Sequence, residues 1–328
     1  MKVLVAIYYR EARVWTIPAR YVDVLRARFP HLTFAHAKDH EDSLREIPDA
    51  DVAFSSILRG ELIAAATRLR WIHSSAAGVG SLISPDFKTR GIVLTNSRGI
   101  HARTIAEYVV AVTLMLFRKL HVAVRRQLEV EWAQEELSGP DATRALHGAH
   151  VGLVGLGAIG SEVARVMAAL GAEVRAVRRR PALPPPAGVT RVAGPDGLPA
   201  LLSWADVVVL AAPHTRETRG LIGAAELARM KPDAVLVNVT RGRLVDERAL
   251  VAALERGAIG GAALDVFEQE PLHPLAPLWT LPNVIITPHT SGFRADYWDA
   301  VTDLFCENLR RFERGEPLLN VVDLDRGY

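Results

Sequence analysis

One stretch decides the fold, Val151-Gly-Leu-Val-Gly-Leu-Gly-Ala-Ile-Gly160. It begins with apolar residues, as a buried parallel strand does, and then turns through Gly155, Gly157 and Gly160 in a G-x-G-x-x-G pattern. The first glycine permits a tight turn, the second lets the backbone approach a pyrophosphate, and the third lets a helix pack close to the strand. Apolar residues then recur at helical spacing, and a second strand pattern begins at Ala172. The stretch therefore predicts a strand, a phosphate-binding turn, a helix and a second strand.

The residue after this second strand bears on which dinucleotide is bound. In NAD-binding versions of the motif, an acidic residue about 20 residues after the glycines accepts hydrogen bonds from the ribose 2′-hydroxyl. Arg178 stands near that place, 178 − 160 = 18 residues after Gly160, and is followed by Arg179 and Arg180. Because a guanidinium can pair with a 2′-phosphate, the sequence favours NADP as the cofactor, with NAD still possible. The alternative is a solvated run of charges in front of the proline-rich segment 181–186.

The composition excludes several classes of protein. The 328 residues suffice for about two domains, and a hydrophobic fraction of 49% is ordinary for a globular chain. The formal net charge is only +2 and no basic tail is present, so we expect no nucleic acid partner. The single cysteine, Cys306, excludes a disulfide framework and a cysteine-rich metal site, and we expect no metal. Without an apolar run of signal-peptide or membrane-spanning length, we expect no membrane partner and a cytoplasmic location.

Alternating strand and helix patterns predict two domains built on parallel sheets. In the first part of the chain we expect a helix near 19–29 and strands at 2–7, 50–55, 69–73 and 91–95. No glycine phosphate turn follows the first of these strands, so this part is expected to bind the substrate. Beyond the glycine motif we expect a C-terminal helix over 295–314 and strands at 172–177, 205–211, 234–238, 261–265 and 284–287.

A long apolar helical pattern lies between the two parts. It covers 104–120 and continues with more charge over 122–137, with a break at 138–141. It is too apolar for a solvated linker, so we expect a packed connector that also supplies a surface for oligomerisation. Trp132 and Trp298 are assigned to core or interface positions, although contact with the substrate remains an alternative for both.

Polar residues are concentrated in three segments that follow predicted strands, namely 238–246, 264–271 and 287–292. Ligands of open parallel sheets bind outside the carboxyl ends of the strands, so Arg241, Glu270 and His289 could converge on one crevice. Arginine can hold a carboxylate and polarise the neighbouring ketone, and histidine can protonate the forming alkoxide. A carboxylate on the other imidazole nitrogen would orient the ring. Each residue taken singly also has an ordinary structural explanation, and spacing alone does not prove that the three meet.

The chain resembles the D-isomer-specific 2-hydroxyacid dehydrogenase family over nearly its whole length. The segments that carry the resemblance occur in the family's order, and they are 94–99, 104–107, 151–160, 230–234, 237–242 with 245–246, 264–271, 278–283 and 287–290. The resemblance implies two doubly wound α/β domains and a homodimer. One is a Rossmann NAD(P)-binding domain at 99–290 with a helical dimerisation connector near 104–137. The other is a flavodoxin-like substrate domain made of 1–98 and 291–328.

The resemblance also implies roles for individual residues. Arg241, Glu270 and His289 match the catalytic residues of the family. The loop that contains Ala77, Gly78 and Val79 matches the one whose backbone N–H groups hold the substrate carboxylate, and Arg241 and His289 complete the substrate-binding set. The residues expected to bind the cofactor are Thr104, Gly155, Gly157, Ala158, Ile159, Gly160, Arg178, Arg179, Pro213, Thr218, Thr240, Asp265 and Ser291.

Three positions depart from the commoner family pattern. Gly80 stands where many members carry aspartate, which would loosen the carboxylate loop. His214 stands where leucine is usual, either as a surface histidine or near the adenosine phosphate. Arg178 replaces the acid of NAD-using members, as in glyoxylate and hydroxypyruvate reductases that prefer NADP.

The expected activity is the transfer of a hydride between NADPH and a 2-keto acid similar to glyoxylate or hydroxypyruvate, in the reducing direction. One alternative is a formate- or phosphite-type dehydrogenase, but formate-type members pair their histidine with glutamine, and Glu270 argues against this. Another is a dinucleotide-sensing binding protein like the corepressors that share the architecture, since a fold does not determine a function.

Overall fold

The computed structural model describes residues 1–9, 13–139 and 143–327. The chain forms two compact units, of which unit 1 comprises Met1–Ile100 with Arg294–Tyr328 and unit 2 comprises His101–Phe293. The substrate-binding and dimerisation roles expected of the two domains remain predictions. Half of the expected break at 138–141 lies outside the described residues.

Unit 1 is built on a parallel sheet with the strand order β2-β1-β3-β4-β5, which is the flavodoxin-like order. Its elements are β1 (Lys2–Ala6), α1 (Ala19–Arg28), β2 (Thr33–His36), α2 (His40–Glu46), β3 (Val52–Ser55), α3 (Glu61–Ala65), β4 (Trp71–Ser74), α4 (Pro85–Thr89), β5 (Val93–Asn96) and α12 (Tyr297–Arg314). The C-terminal helix α12 covers one face of the sheet, where the ring of Phe305 stacks 4.3 Å from Phe54 and 5.4 Å from Trp71. These contacts explain why the last helix belongs to the first unit.

Unit 2 is built on a longer parallel sheet with the order β12-β11-β10-β9-β6-β7-β8. Its elements are α5 (Ala102–Phe117), α6 (Leu120–Leu128), α7 (Gln134–Leu137), β6 (His150–Val154), α8 (Ala158–Ala169), β7 (Glu173–Val177), β8 (Val189–Ala193), α9 (Leu198–Trp204), β9 (Val207–Leu210), α10 (Ala224–Leu227), β10 (Val235–Asn238), α11 (Glu247–Glu255), β11 (Gly261–Leu264) and β12 (Val284–Ile286). From β8 to β11 the strands follow the order 3-2-1-4-5-6 of a Rossmann fold. The prediction of two doubly wound α/β domains of these two types is therefore confirmed.

Two strands, β2 and β8, were absent from the prediction. β8 lies at the edge of the sheet and contains only half-buried and exposed residues, and β2 is only partly buried. By contrast, every residue of β9, β10 and β11 is buried, because helices cover both faces of the sheet. Buried strands produce the continuous apolar runs that a sequence reveals, whereas edge strands do not.

The connector differs from the continuous helical pattern expected over 104–137. α5 ends at Phe117, and Lys119 has a left-handed φ of 54°. α6 ends at Leu128, and Val130 has a φ of 59°. A left-handed residue cannot continue a right-handed helix, so the connector forms three helices that change direction twice. Among the described residues, no helix has both the length and the apolar character required to cross a membrane.

Candidate active site

The glycine turn between β6 and α8 has the geometry of a phosphate-binding loop. Gly155 has a φ of +107°, and a Cβ there would lie 2.7 Å from the backbone of Ala211, while a Cβ on Gly160 would lie 2.2 Å from the Gly155 oxygen. A Cβ on Gly157 would have nothing within 4 Å. No side chain among the described residues caps the N-terminus of α8, so its first N–H groups face this open space. The arrangement fits the pyrophosphate of a dinucleotide, for which the helix N-terminus is electrostatically favourable.

Arg178 follows β7 directly, at the end of the strand where the adenosine ribose of a bound dinucleotide lies in this fold. Its Nη2 donates to the carbonyl oxygens of Leu183 and, at 3.1 Å, Pro184. Its Nε is buried and has no hydrogen-bond partner among the described residues. The guanidinium thus lies against the loop after β7, with one donor still unsatisfied.

The loop after β9 carries two more of the residues expected to bind the cofactor, Pro213 and Thr218. The Thr218 hydroxyl donates to the Pro213 oxygen at 2.7 Å and accepts from the Thr215 N–H at 2.7 Å, which closes a compact turn. The pKa of Glu217 lies below its usual value because Thr215 donates a hydrogen bond to it and because positive charges, including that of Arg179, are near. The loop after β9 therefore lies near Arg179.

Arg241 is positioned by a buried asparagine at the end of β10. The side-chain oxygen of Asn238 accepts from the N–H and the hydroxyl of Thr240 at 3.1 and 3.0 Å, and its amide donates to the Arg241 oxygen at 3.1 Å. The Arg241 Nη1 donates to the Thr240 oxygen at 2.6 Å. Asn238 begins the polar segment 238–246, but no role was predicted for it, although a buried polar residue at the end of a central strand is a signal for one.

Gly242 brings the Arg241 segment against the segment that carries Glu270. A Cβ on Gly242 would lie 1.8 Å from the backbone carbon of Phe267 and 2.2 Å from the nitrogen of Glu268. Only glycine permits this approach. Arg241 and Glu270 consequently line one opening of about 320 Å³, together with His214, Gly242, Arg243, Phe267 and Glu268. His214 thus lies at the opening beside Arg241, a place that the sequence did not predict.

Glu270 and His289 form a hydrogen-bonded pair. Nδ1 of His289 lies 2.7 Å from Oε2 of Glu270, and Oε1 of Glu270 accepts from the Phe267 N–H at 3.0 Å. The two side chains are 49% and 37% exposed, so both remain accessible to a small molecule. With Nδ1 engaged by the carboxylate, Nε2 is the ring nitrogen left to exchange a proton with a substrate.

The turn that carries His289 is held by a fully buried carboxylate. Oδ1 of Asp265 accepts from the Thr290 N–H at 2.8 Å and the Thr287 hydroxyl at 2.5 Å, and Oδ2 accepts from the Ser291 N–H at 3.0 Å. The backbone N–H of His289 donates to the backbone carbonyl oxygen of Asp265 at 2.9 Å. These contacts fix the turn, and the cofactor-binding roles expected of Asp265 and Ser291 remain predictions.

The remaining predicted residues have contacts of their own. Thr104 is on α5, where its hydroxyl donates to the His101 oxygen at 3.1 Å. Ala77, Gly78 and Val79 belong to unit 1, in the loop after β4, where the Ala77 oxygen accepts from the Asn96 amide at 2.8 Å. Their expected contact with the substrate carboxylate remains a prediction.

Comparison with known proteins agrees with this geometry. Residues 110–291 match the NAD-binding domain of the D-isomer-specific 2-hydroxyacid dehydrogenases. A glyoxylate reductase from Korarchaeum cryptofilum is 35% identical over 289 residues, which cover 85% of this chain and 85% of that protein. A D-3-phosphoglycerate dehydrogenase from Archaeoglobus fulgidus is 32% identical over 331 residues, which cover 99% of this chain but 59% of that protein.

A solved structure extends the similarity to both units. The crystal structure of a D-isomer-specific 2-hydroxyacid dehydrogenase from Xanthobacter autotrophicus, in complex with NADPH and MES, is 32% identical, with a TM-score of 0.84 over 99% of each chain. The matched NAD-binding domain and the identity with these relatives show that this chain belongs to the D-isomer-specific 2-hydroxyacid dehydrogenase family.

Proposed function

We propose that the protein reduces a small 2-keto acid to the D-2-hydroxy acid with NADPH, and that glyoxylate and hydroxypyruvate are among its substrates. The observation that carries this proposal is the His289–Glu270 pair at 2.7 Å, with Glu270 lining the same opening as Arg241. An imidazole held by a carboxylate beside an accessible arginine suits the protonation of a ketone oxygen next to a carboxylate. The glyoxylate reductase relative supports this substrate class.

Each of the three residues has a role in this reaction. Arg241 binds the substrate carboxylate and polarises the ketone, and the bond from its Nη1 to the Thr240 oxygen limits its rotation. The reduced nicotinamide supplies the hydride when it is bound. His289 donates a proton from Nε2 to the ketone oxygen, and Glu270 orients the ring and stabilises its charged form. The N–H groups of the 77–79 loop bind the substrate carboxylate.

Initial rates of NADPH oxidation test the proposal directly. The panel contains glyoxylate, hydroxypyruvate, pyruvate and 3-phosphohydroxypyruvate, with formate and NADP as the reverse-direction control. Turnover of at least one of the first two keto acids is expected, and formate should not react. A protein that binds NADPH but turns over none of the keto acids would instead be a dinucleotide-sensing protein.

The cofactor preference is expected to depend on Arg178. A guanidinium that turns towards the ribose would satisfy the unpartnered Nε and pair with a 2′-phosphate. The site is half exposed, and the carboxylate of Glu217 lies near Arg179, so pairing of these arginines with a phosphate is weakened. We therefore expect only about a tenfold preference for NADPH over NADH, which corresponds to one charged hydrogen bond. Arg178→Asp should reverse it. The measurement is kcat/KM for both cofactors.

Arg180→Asp is the matched control, because Arg180 is exposed and lies in the same run of arginines. It should leave the ratio of NADPH to NADH unchanged. A parent enzyme that prefers NADH, or an Arg178→Asp variant with the parental ratio, would show that this arginine does not select the cofactor.

We further propose a homodimer that buries the apolar surface after α5. Within unit 2, this surface consists of Leu120, Val124, Leu128, Val130 and Trp132, which are between 48% and 93% exposed. Exposed apolar surface of this extent typically marks an interface. Light scattering should therefore give twice the 35.8 kDa of one chain, and Leu128→Asp with Trp132→Ala should shift the mass towards 35.8 kDa.

Leu275→Asp serves as the control for assembly, because Leu275 is an equally exposed leucine (84%) outside this surface. Its mass should equal that of the parent. A parent mass of one chain at micromolar concentration, or a dimer that tolerates both substitutions, would contradict the proposed interface.

A further inference from the structure

Tyr108 on α5 is connected to the His289 turn by a short chain of hydrogen bonds. Its hydroxyl lies 2.7 Å from the Thr287 hydroxyl, which lies 2.5 Å from Oδ1 of Asp265. A carboxylate can only accept, so the Thr287 hydrogen points at Asp265. Thr287 can therefore only accept from Tyr108, and the direction of both bonds is determined.

The surroundings of Tyr108 keep its phenol protonated. Burial raises the pKa of Tyr108 to about 12, and the charge of Asp265 adds to the shift, so the phenol remains a donor. Asp265 is fully buried, and its carboxylate accepts from Thr287, Thr290 and Ser291. The chain thus ends on an acceptor that is shielded from water.

The turn needs such support because its backbone is strained. His289 has a φ of 55°, a left-handed conformation that a residue with a side chain rarely adopts. Its N–H donates to the oxygens of Asp265 and Thr287 at 2.9 and 3.0 Å. Thr287 therefore contributes both its backbone oxygen and its hydroxyl to the structure that holds the imidazole against Glu270.

We propose that Tyr108 is a positioning residue for the proton donor, because its hydroxyl orients Thr287 and thereby holds the turn that aims His289. This inference rests on the proposed role of His289. Tyr108 acts only through Thr287. It therefore affects the rate of the chemical step, in which hydride transfer is accompanied by proton donation from His289, and not the binding of the keto acid or of NADPH. No sequence motif indicates this role, since Tyr108 lies 181 residues before His289 (289 − 108).

The test is a double-mutant cycle on the full-length protein. Tyr108→Phe removes the hydroxyl and keeps the ring, and it should lower the single-turnover rate of NADPH oxidation about fivefold, the effect of one net hydrogen bond. The KM for the keto acid and the Kd for NADPH should change less than twofold. Thr287→Val should lower the rate further, Thr287→Ser should retain most of it, and Tyr108→Phe should have no additional effect in the Thr287→Val background.

Tyr21→Phe is the matched control, because the Tyr21 hydroxyl also donates to a side-chain oxygen. Its acceptor is Oδ2 of Asp299 at 3.0 Å, within unit 1. Tyr21→Phe should leave the rate unchanged.

Three outcomes would overturn the inference. They are a parental rate in Tyr108→Phe, an equal effect of Tyr108→Phe in the parent and in Thr287→Val, and a loss of NADPH affinity without a loss of rate. If Thr287→Val does not fold, Tyr108→Phe and Thr287→Ser still decide it, with thermal unfolding showing that both are folded. An active His289→Ala enzyme would instead refute the proposed proton donor itself.

Discussion

Replacement of His289 by alanine is expected to lower kcat for 2-keto acid reduction about 10²- to 10⁴-fold, the usual contribution of a positioned general acid. Binding of NADPH should be unaffected, because the side chain contacts Glu270 and the backbone of the turn is held by Asp265. Steady-state rates and fluorescence titration with NADPH measure the two quantities. Unchanged turnover would remove His289 from the mechanism.

His31→Ala provides a closely matched control. His31 also pairs with a glutamate, Glu313, at 2.7 Å, but the pair lies on the surface of unit 1. If removal of any surface histidine–glutamate pair reduced activity through stability alone, both variants would lose activity. We expect full activity in His31→Ala.

Glu270→Gln separates orientation from charge at the same site. An amide can still accept a hydrogen bond from Nδ1, but the charged imidazole loses its anionic partner and is favoured less. Reduction requires the protonated ring, so the fall in rate on the alkaline side should begin at a lower pH than in the parent. A superimposable pH profile would mean that Glu270 is not the partner of the proton donor.

Gly242→Ala is expected to lower kcat/KM more than 100-fold, because it displaces the residues of the site. Such a loss corresponds to an increase of about 3 kcal/mol in the activation free energy. The added Cβ would lie 1.8 Å from the Phe267 backbone carbon, which no side-chain rotation can relieve. The Arg241 and Glu270 segments must therefore move apart, and the stability of unit 2 should fall as well. Activity assays and thermal unfolding measure the two effects.

Gly223→Ala is the corresponding control in unit 2. A Cβ at Gly223 would lie 3.4 Å from a glutamate side chain, an ordinary contact that needs no backbone movement. The Gly223→Ala variant should therefore retain the activity and the thermal stability of the parent. An active Gly242→Ala enzyme would show that the close approach of the two segments is not needed for the site.

The phosphate turn and the central strands could be predicted from the sequence because their signals are local. A buried strand needs a continuous apolar run, and the turn after β6 needs glycine where a Cβ would collide with Ala211 or Gly155. The order of these segments, with the strong family motifs around Arg241, Glu270 and His289, was sufficient for the fold class and the family.

The breaks in the connector were not predictable in the same way. Its apolar periodicity continues past Phe117, but the left-handed residues Lys119 and Val130 interrupt the backbone. Neither lysine nor valine indicates a left-handed conformation in a sequence, since tertiary packing rather than local propensity selects it. Edge strand β8 was not predicted because none of its residues is fully buried, so it lacks a continuous apolar run.

The sequence by itself therefore determined the two parallel-sheet units, the phosphate turn and the identity of the chemical groups at the strand ends. Only the tertiary structure decided how those groups are held: Asn238 beneath Arg241, Gly242 against Phe267, and Tyr108 and Thr287 behind His289. The physical reason is that hydrogen-bond partners and close backbone contacts depend on distances between segments far apart in the chain. Residue spacing constrains local conformation and burial, but it does not report those distances.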